Sequence, residues 1–270
     1  KREGLKKVYY ENGKLKAEAN FKNGKLEGIA RGYHKNGDLE YEENYTNGKS
    51  EGLKTAYHEN GKLEVKVNYI NGKREGLQKN YYKNGKLWIE TNYKNDKEEG
   101  ISKEYYESGQ LKAEDNFKNG KKEGLQKNFY KSGQLWVEVN YKNGKREGIE
   151  KDYHENGKLK LKANFINGKR EGITKWYYES GKLEKEENHK NGKREGLLKG
   201  YSKKGNLEYE ANFKNDKQEG LEKGYHENGK PWWEENYKND KKNGVSRKYY
   251  ESGELKFRDI YKNGRKIHRT

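Results

Sequence analysis

The amino-acid sequence predicts an all-β fold: an elongated, twisted antiparallel meander of about 22 strands, built from eleven 24-residue hairpin repeats and largely single-layered. Three observations predict it. The pair Glu-Gly recurs every 24 residues without insertion or deletion, from Glu3-Gly4 through Glu219-Gly220, and then as Asn243-Gly244. Each period carries two turn dipeptides, exemplified by Asn12-Gly13 and Asn23-Gly24. Between the turns lie stretches of strand length rich in Tyr, Phe and β-branched residues, and none has sustained helical spacing.

The copies start at Glu3, Glu27, Glu51, Glu75, Glu99, Glu123, Glu147, Glu171, Glu195, Glu219 and Asn243, and the Glu defines repeat position 1. Residues 1–270 are expected to form one array, with copy 243–266 as a C-terminal cap and 267–270 as a tail. Glycine is invariant at positions 2 and 11 and fills position 22 in eight copies, with Asp96, Asp216 and Asp240 in the others. Those rows hold 30 of the 33 glycines, so glycine marks fixed backbone geometry here and not low complexity.

Composition alone points elsewhere. Charged residues make up 39% of the chain, hydrophobic ones 28%, and the net charge is +17, a balance typical of disorder. The 13% of aromatics, the single proline (Pro231) and the strict period override it. Cysteine is absent, which excludes disulfides and thiolate chemistry. No apolar run approaches the roughly 20 residues of a membrane-spanning helix. Because Met is also absent, Lys1 is not a translation start, and a processed product or a segment of a longer chain is expected. Removal of a leader would place the protein outside the cytoplasm, at a bacterial surface or secreted.

Two-residue type I′ turns at both dipeptides would set the register. Position 5 then faces 16, pairing Lys7 with Glu18 and Lys103 with Glu114 across the strands. Trp88, Trp136 and Trp232 at position 14 would face Tyr81, Phe129 and Tyr225, while Leu15 would meet Tyr10 and Leu63 would meet His58. Beyond the position 2 glycine a bulge could reverse the faces.

The string Tyr9-Tyr10-Glu11-Asn12-Gly13-Lys14-Leu15, followed by Asn20-Phe21-Lys22-Asn23-Gly24-Lys25 and Glu27-Gly28, resembles the bacterial MORN-repeat variant, found in proteins often labelled YwqK-family antitoxins. The resemblance covers essentially the whole chain. It implies a non-catalytic module for protein or membrane contacts, and the antitoxin label implies neutralisation of a partner toxin. Departures cluster near the end, where Pro231 replaces the position 13 Leu, Asn243 replaces Glu and Ile260 replaces the position 18 Asn.

No residues assemble into a catalytic or cofactor motif, and the chain is read as no enzyme. Ser108, Ser132, Ser180 and Ser252 precede turn glycines and read as turn residues. Gly48-Lys49-Ser50 lacks the upstream glycine and the helix of a phosphate loop. His34, His58, His154 and His226 share position 8, so even adjacent copies hold them two strands, about 9–10 Å, apart, too far for one metal. The asparagines of positions 18 and 21 are expected to serve turns and ladders.

Two features point toward partners. Positions 20, 23 and 24 supply 26 Lys or Arg near the second turn, against 14 acids at positions 1, 22 and 24. Near the first turn the balance is 10 against 9, so one edge is basic. Lys25, Lys49, Lys73, Lys97, Lys121, Lys145, Lys169 and Lys193 belong to that edge, which would keep an open sheet soluble or track a polyanion: anionic lipid, polysaccharide or nucleic acid. The tryptophans Trp88, Trp136, Trp176, Trp232 and Trp233 would either cover neighbouring strands or anchor a protein partner. A protein-binding scaffold is the leading expectation, with head-to-tail self-association through terminal strands as a further route.

Overall fold

A computed structural model describes residues 1–270, which form two compact units, Lys1–Gly133 and Gln134–Thr270. Both consist of antiparallel strands and tight turns, without a helix, in a mostly single-layered sheet. Each copy contributes a first strand, such as Gly4–Tyr9 or Gly172–Tyr177, and a second, such as Leu15–Lys22 or Leu183–Lys190. Positions 23 and 24 then start the next rung. They run straight on in Lys25–Tyr33 but stand apart in Lys49–Ser50, and five such breaks together with a final strand, Arg265–Arg269, raise the count to 28 against the 22 expected.

The second turn has the expected type I′ geometry, with φ of 53° at Asn23 and 83° at Gly24. The first turn does not. Only Gly13 has positive φ, its N–H donates to the Tyr10 carbonyl at 2.9 Å, and the Tyr10 N–H donates to Lys14 at 2.8 Å. This is a three-residue loop ending in a left-handed glycine, and the Asn12 Oδ1 accepts the Lys14 N–H inside it. The longer loop shifts the register by one. Tyr9, not Tyr10, faces Leu15, and Tyr57, not His58, faces Leu63. Position 14 is squeezed out as a bulge, so Tyr81 faces Leu87 instead of Trp88, and Tyr225 faces Pro231 instead of Trp232.

Below that bulge the expected pairing holds. Lys7 and Glu18 face each other with their charges 3.4 Å apart, and Lys103 and Glu114 at 3.9 Å. A second bulge forms at Glu-Gly. Ala19 pairs with Ala30 and Phe21 with Leu26, so Asn20 alone faces Glu27, Gly28 and Ile29, and Gly28 takes φ of 76°. The position 18 asparagine serves this detour: its carbonyl accepts the Glu51 N–H in one copy, and its amide donates to the Glu195 carbonyl at 2.9 Å in another. The last strand, Arg265–Arg269, covers residues expected as a tail. It pairs with Leu255–Lys262 without a Glu-Gly detour, and there position 18 is Ile260.

One face of the sheet is packed. In Lys1–Gly133 its buried members include Ala30, Val67 and Ala113; in Gln134–Thr270 they include Val139, Leu198 and Ala211. The second unit also holds a cluster of Leu161, Ala163 and Phe165 with Trp176 against it. Burying a side chain of Phe165's size contributes roughly 1.5–3 kcal/mol. The three glycines outside the turn rows, Gly32, Gly200 and Gly224, sit on this face opposite Tyr41, Tyr209 and Trp233. A methyl group on any of them would overlap the facing ring. Ring and glycine therefore occur as matched pairs.

Candidate interaction surfaces

The edge bearing the first turn is consumed by contacts between copies. The Tyr10 hydroxyl donates to the Tyr33 carbonyl at 2.6 Å, Tyr106 to Phe129 at 2.8 Å, and Tyr178 to Tyr201 at 2.7 Å. His34, His58, His154 and His226 put Nε2 against the same carbonyl of the following copy. Asn36 and Asn60 donate to the carbonyls of Glu59 and Lys83, and Lys14, Lys62 and Lys230 to those of Asn36, Asn84 and Ser252. The position 8 histidines are thus structural fasteners, and no group of three or more His, Asp or Glu is placed to hold a metal ion.

The edge bearing the second turn is different. Lys25, Lys49, Lys73, Lys97, Lys121, Lys145, Lys169 and Lys193 are all exposed. The Lys25 and Lys49 stems rest on the turn glycines of the next copy, 3.5 Å from the points where Cβ atoms on Gly48 and Gly72 would stand. The position 1 glutamates fold inward, Glu27 accepting the Asn47 N–H at 2.9 Å and Glu171 the Asn191 N–H at 2.7 Å. Where Asp replaces the turn glycine it adds a tie: Asp216 accepts the Arg194 N–H at 2.8 Å. Many position 24 cations leave the edge to lie over position 19 rings, Arg74 3.9 Å from the Tyr93 centroid and Arg194 4.1 Å from Phe213. The free positive charge is carried by positions 20 and 23.

The five tryptophans do not gather. Trp176 belongs to the packed cluster, with the Lys185 ammonium 4.0 Å from its ring. Trp233 covers Gly224. Trp88, Trp136 and Trp232 are 41%, 44% and 50% exposed; Trp88 leans on Tyr82, and Trp232 on His226.

Burial tunes several charges on the packed face. Glu150 and Asp152 are pushed above their ordinary carboxylate values chiefly by desolvation. Burial pushes Glu43 the same way, but Lys54 at 2.8 Å and the Ser50 hydroxyl outweigh it and hold the group below the usual range. Tyr45 beside it is pushed up to about 12, first by burial and then by the Glu43 charge. His189 takes the position of the usual ring, with Thr174 Oγ1 3.3 Å from Nδ1 and Glu187 3.3 Å from Nε2. Burial lowers its pKa against the opposing pull of Glu187.

The open face carries a surface that the sequence reading missed. Position 3 is aliphatic in every copy. In the first unit Leu5, Ile29, Leu53, Leu77, Ile101 and Leu125 are at least 42% exposed; in the second, Ile149, Ile173 and Leu197 are at least 41% exposed. Each faces a position 18 asparagine, as Ile173 faces Asn188, and so projects away from the packed side. The Leu/Ile after each Glu-Gly was visible and a bulge at the position 2 glycine was anticipated, but not its size, nor that the side chain beyond it stays on the open face.

Solved structures with a distant likeness to this chain include two of low identity. A chain of a structure described as "Crystal Structure of TcdB2-TccC3-Cdc42" is 13% identical with a TM-score of 0.22, and one described as "Crystal Structure of TcdB2-TccC3" is 13% identical with a TM-score of 0.20. Each match covers 96% of this chain, which spans 17% of the length of either. No curated protein matches. A family model described as "MORN repeat variant" matches eleven successive segments: residues 2–23, 26–47, 50–71, 74–95, 98–119, 122–143, 146–167, 170–191, 194–215, 218–239 and 242–263. The matches recur with the 24-residue period and cover almost the whole sequence, and the chain belongs to the MORN repeat variant family.

Proposed function

We propose that this protein is a non-catalytic repeat scaffold that binds another protein. The observation carrying this reading is the aliphatic row at position 3, left open to water while polar groups elsewhere in the repeat are tied up. Apolar side chains recurring on one exposed face are a feature of contact surfaces. Immobilised protein incubated with native extract should retain a defined partner in fixed stoichiometry, through washes at high salt. Retention of nothing, or of material released entirely by salt, refutes the reading.

A second reading rests on the exposed position 23 lysines, which suit a polyanion such as anionic lipid or surface polysaccharide. It requires affinity that falls steeply between low and high salt. The narrower version of the first reading, in which the partner is a toxin, predicts that the captured protein arrests growth when expressed alone and not beside this chain. A surface or secreted location suits a display module; recovery solely from the cytosol of native cells excludes it.

A further inference from the structure

We propose that the aliphatic row of the second unit, between Ile149 and Leu197, docks an acidic segment of a partner protein, with Lys162 as the charge that selects it. This deepens the protein-binding reading and rests on it. Successive position 3 side chains stand two strands, about 10 Å, apart and leave hollows between them. One hollow of about 240 Å³ lies between Ile149 and Ile173, with Asn164, Lys162, Lys175 and Tyr177 in its lining. The next, about 370 Å³, lies between Ile173 and Leu197, with Asn188, Glu186 and Lys199.

The charge around the first hollow is unbalanced. Elsewhere in this unit position 16 is Glu138, Glu186, Glu210 or Glu234, with Arg258 only in the last copy, and three of these carboxylates pair with position 5 bases: Lys151 at 2.8 Å, Lys175 at 3.5 Å and Lys223 at 3.6 Å. In the copy starting at Glu147 that place is taken by Lys162, and both its cross-strand neighbours, Lys151 and Lys175, are lysines. Like charges placed directly opposite are destabilising. The arrangement also puts an ammonium without a facing carboxylate beside two exposed aliphatic side chains. Two residues beyond Asn188, on the same face, Lys190 pairs with Lys193, and both are exposed. A segment bearing Asp or Glu next to Leu, Ile or Phe matches both features: its apolar side chain fills the hollow and its carboxylate meets Lys162.

A bilayer surface fits less well. The row is one residue wide and is bordered on the same face by the ion pairs of Glu138 with Lys151 and Glu186 with Lys175, which a membrane would have to desolvate.

The test pans a display library of random short peptides against the immobilised full chain, then measures the selected peptides in solution. Enriched sequences should place an acidic residue within two positions of a large apolar one. Their affinity should fall about tenfold or more in Ile173→Ser and in Lys162→Glu, and survive in Lys162→Arg. Ile173 is 57% exposed, so its replacement leaves the packed face intact, and Ile149→Ser provides a second reading of the same hollow. Absence of enrichment, enrichment without acidic bias, or unchanged affinity in both variants overturns the proposal. So does uptake of the chain by phosphatidylserine vesicles that Ile173→Ser abolishes. Peptides whose binding is lost in Trp232→Ala but kept in Ile173→Ser would overturn the docking site and leave protein binding standing.

Discussion

The two faces of the sheet are built on opposite rules. On the packed face, positions 4, 6, 15 and 17 change from copy to copy, but in compensating pairs: Val8 with Ala17, Ala56 with Val65, Gly224 with Trp233. On the open face, positions 3, 5, 16 and 18 hold nearly the same residues throughout, although little is buried there. Packing tolerates many solutions provided volume is matched. Cross-strand ion pairs keep positions 5 and 16 uniform and the Glu-Gly detour keeps position 18 so, but the uniformity of position 3 has no such origin, and it is what a surface presented to a partner would show.

Four experiments would break or sharpen this contrast. The largest effect belongs to Gly224→Ala, whose methyl group meets the Trp233 ring; it should destabilise the second unit by about 1–3 kcal/mol in urea unfolding. Adding Trp233→Ala should remove most of that penalty, and a penalty unchanged by the second substitution would mean the two residues are not a matched pair. Next comes pH. Because burial depresses the His189 pKa, its contribution to stability is present above the unfolded value near 6.5 and is lost as pH falls below it. The melting temperature should therefore drop on acidification, and less so in His189→Phe, which restores the aromatic ring usual at that position. On the open face, Lys79→Ala breaks the 3.5 Å pair with Glu90 and should cost only about 0.2–1 kcal/mol. Smallest of all, Leu53→Ser should shift stability by less than about 0.5 kcal/mol, since Leu53 is 50% exposed. A large loss there would show that the row is structural after all.

The period, the two-strand copy and the Lys7–Glu18 pairing were legible because spacing and charge sign are written directly in the residues. The loop at Asn12-Gly13 was not. The same dipeptide closes a two-residue turn at Asn23-Gly24, and the backbone around it distinguishes them: Asn23 takes a positive φ and Asn12 does not, and the Tyr10 N–H reaches Lys14. That one-residue difference moved Trp88 and Trp232 from paired positions into a bulge. Alternation cannot be carried through a bulge of unknown size, which is why the sequence reading missed the outward turn of Ile29 and Ile173. The basic edge was counted correctly in the sequence, but Arg74 and Arg194 spend their charge over rings, which a tally of residues does not show.

Most fasteners on the first-turn edge address main-chain oxygens, as in the bonds of Tyr10, His34, Asn60 and Lys62, while Lys204 reaches the Glu227 carboxylate instead. A main-chain oxygen is present whatever residue occupies the site, so any copy can succeed any other. Gain or loss of a whole 24-residue module by in-frame recombination would leave every such joint remade, whereas a one-residue slip would disconnect it. The molecule's length is thereby free to drift while its joints are not.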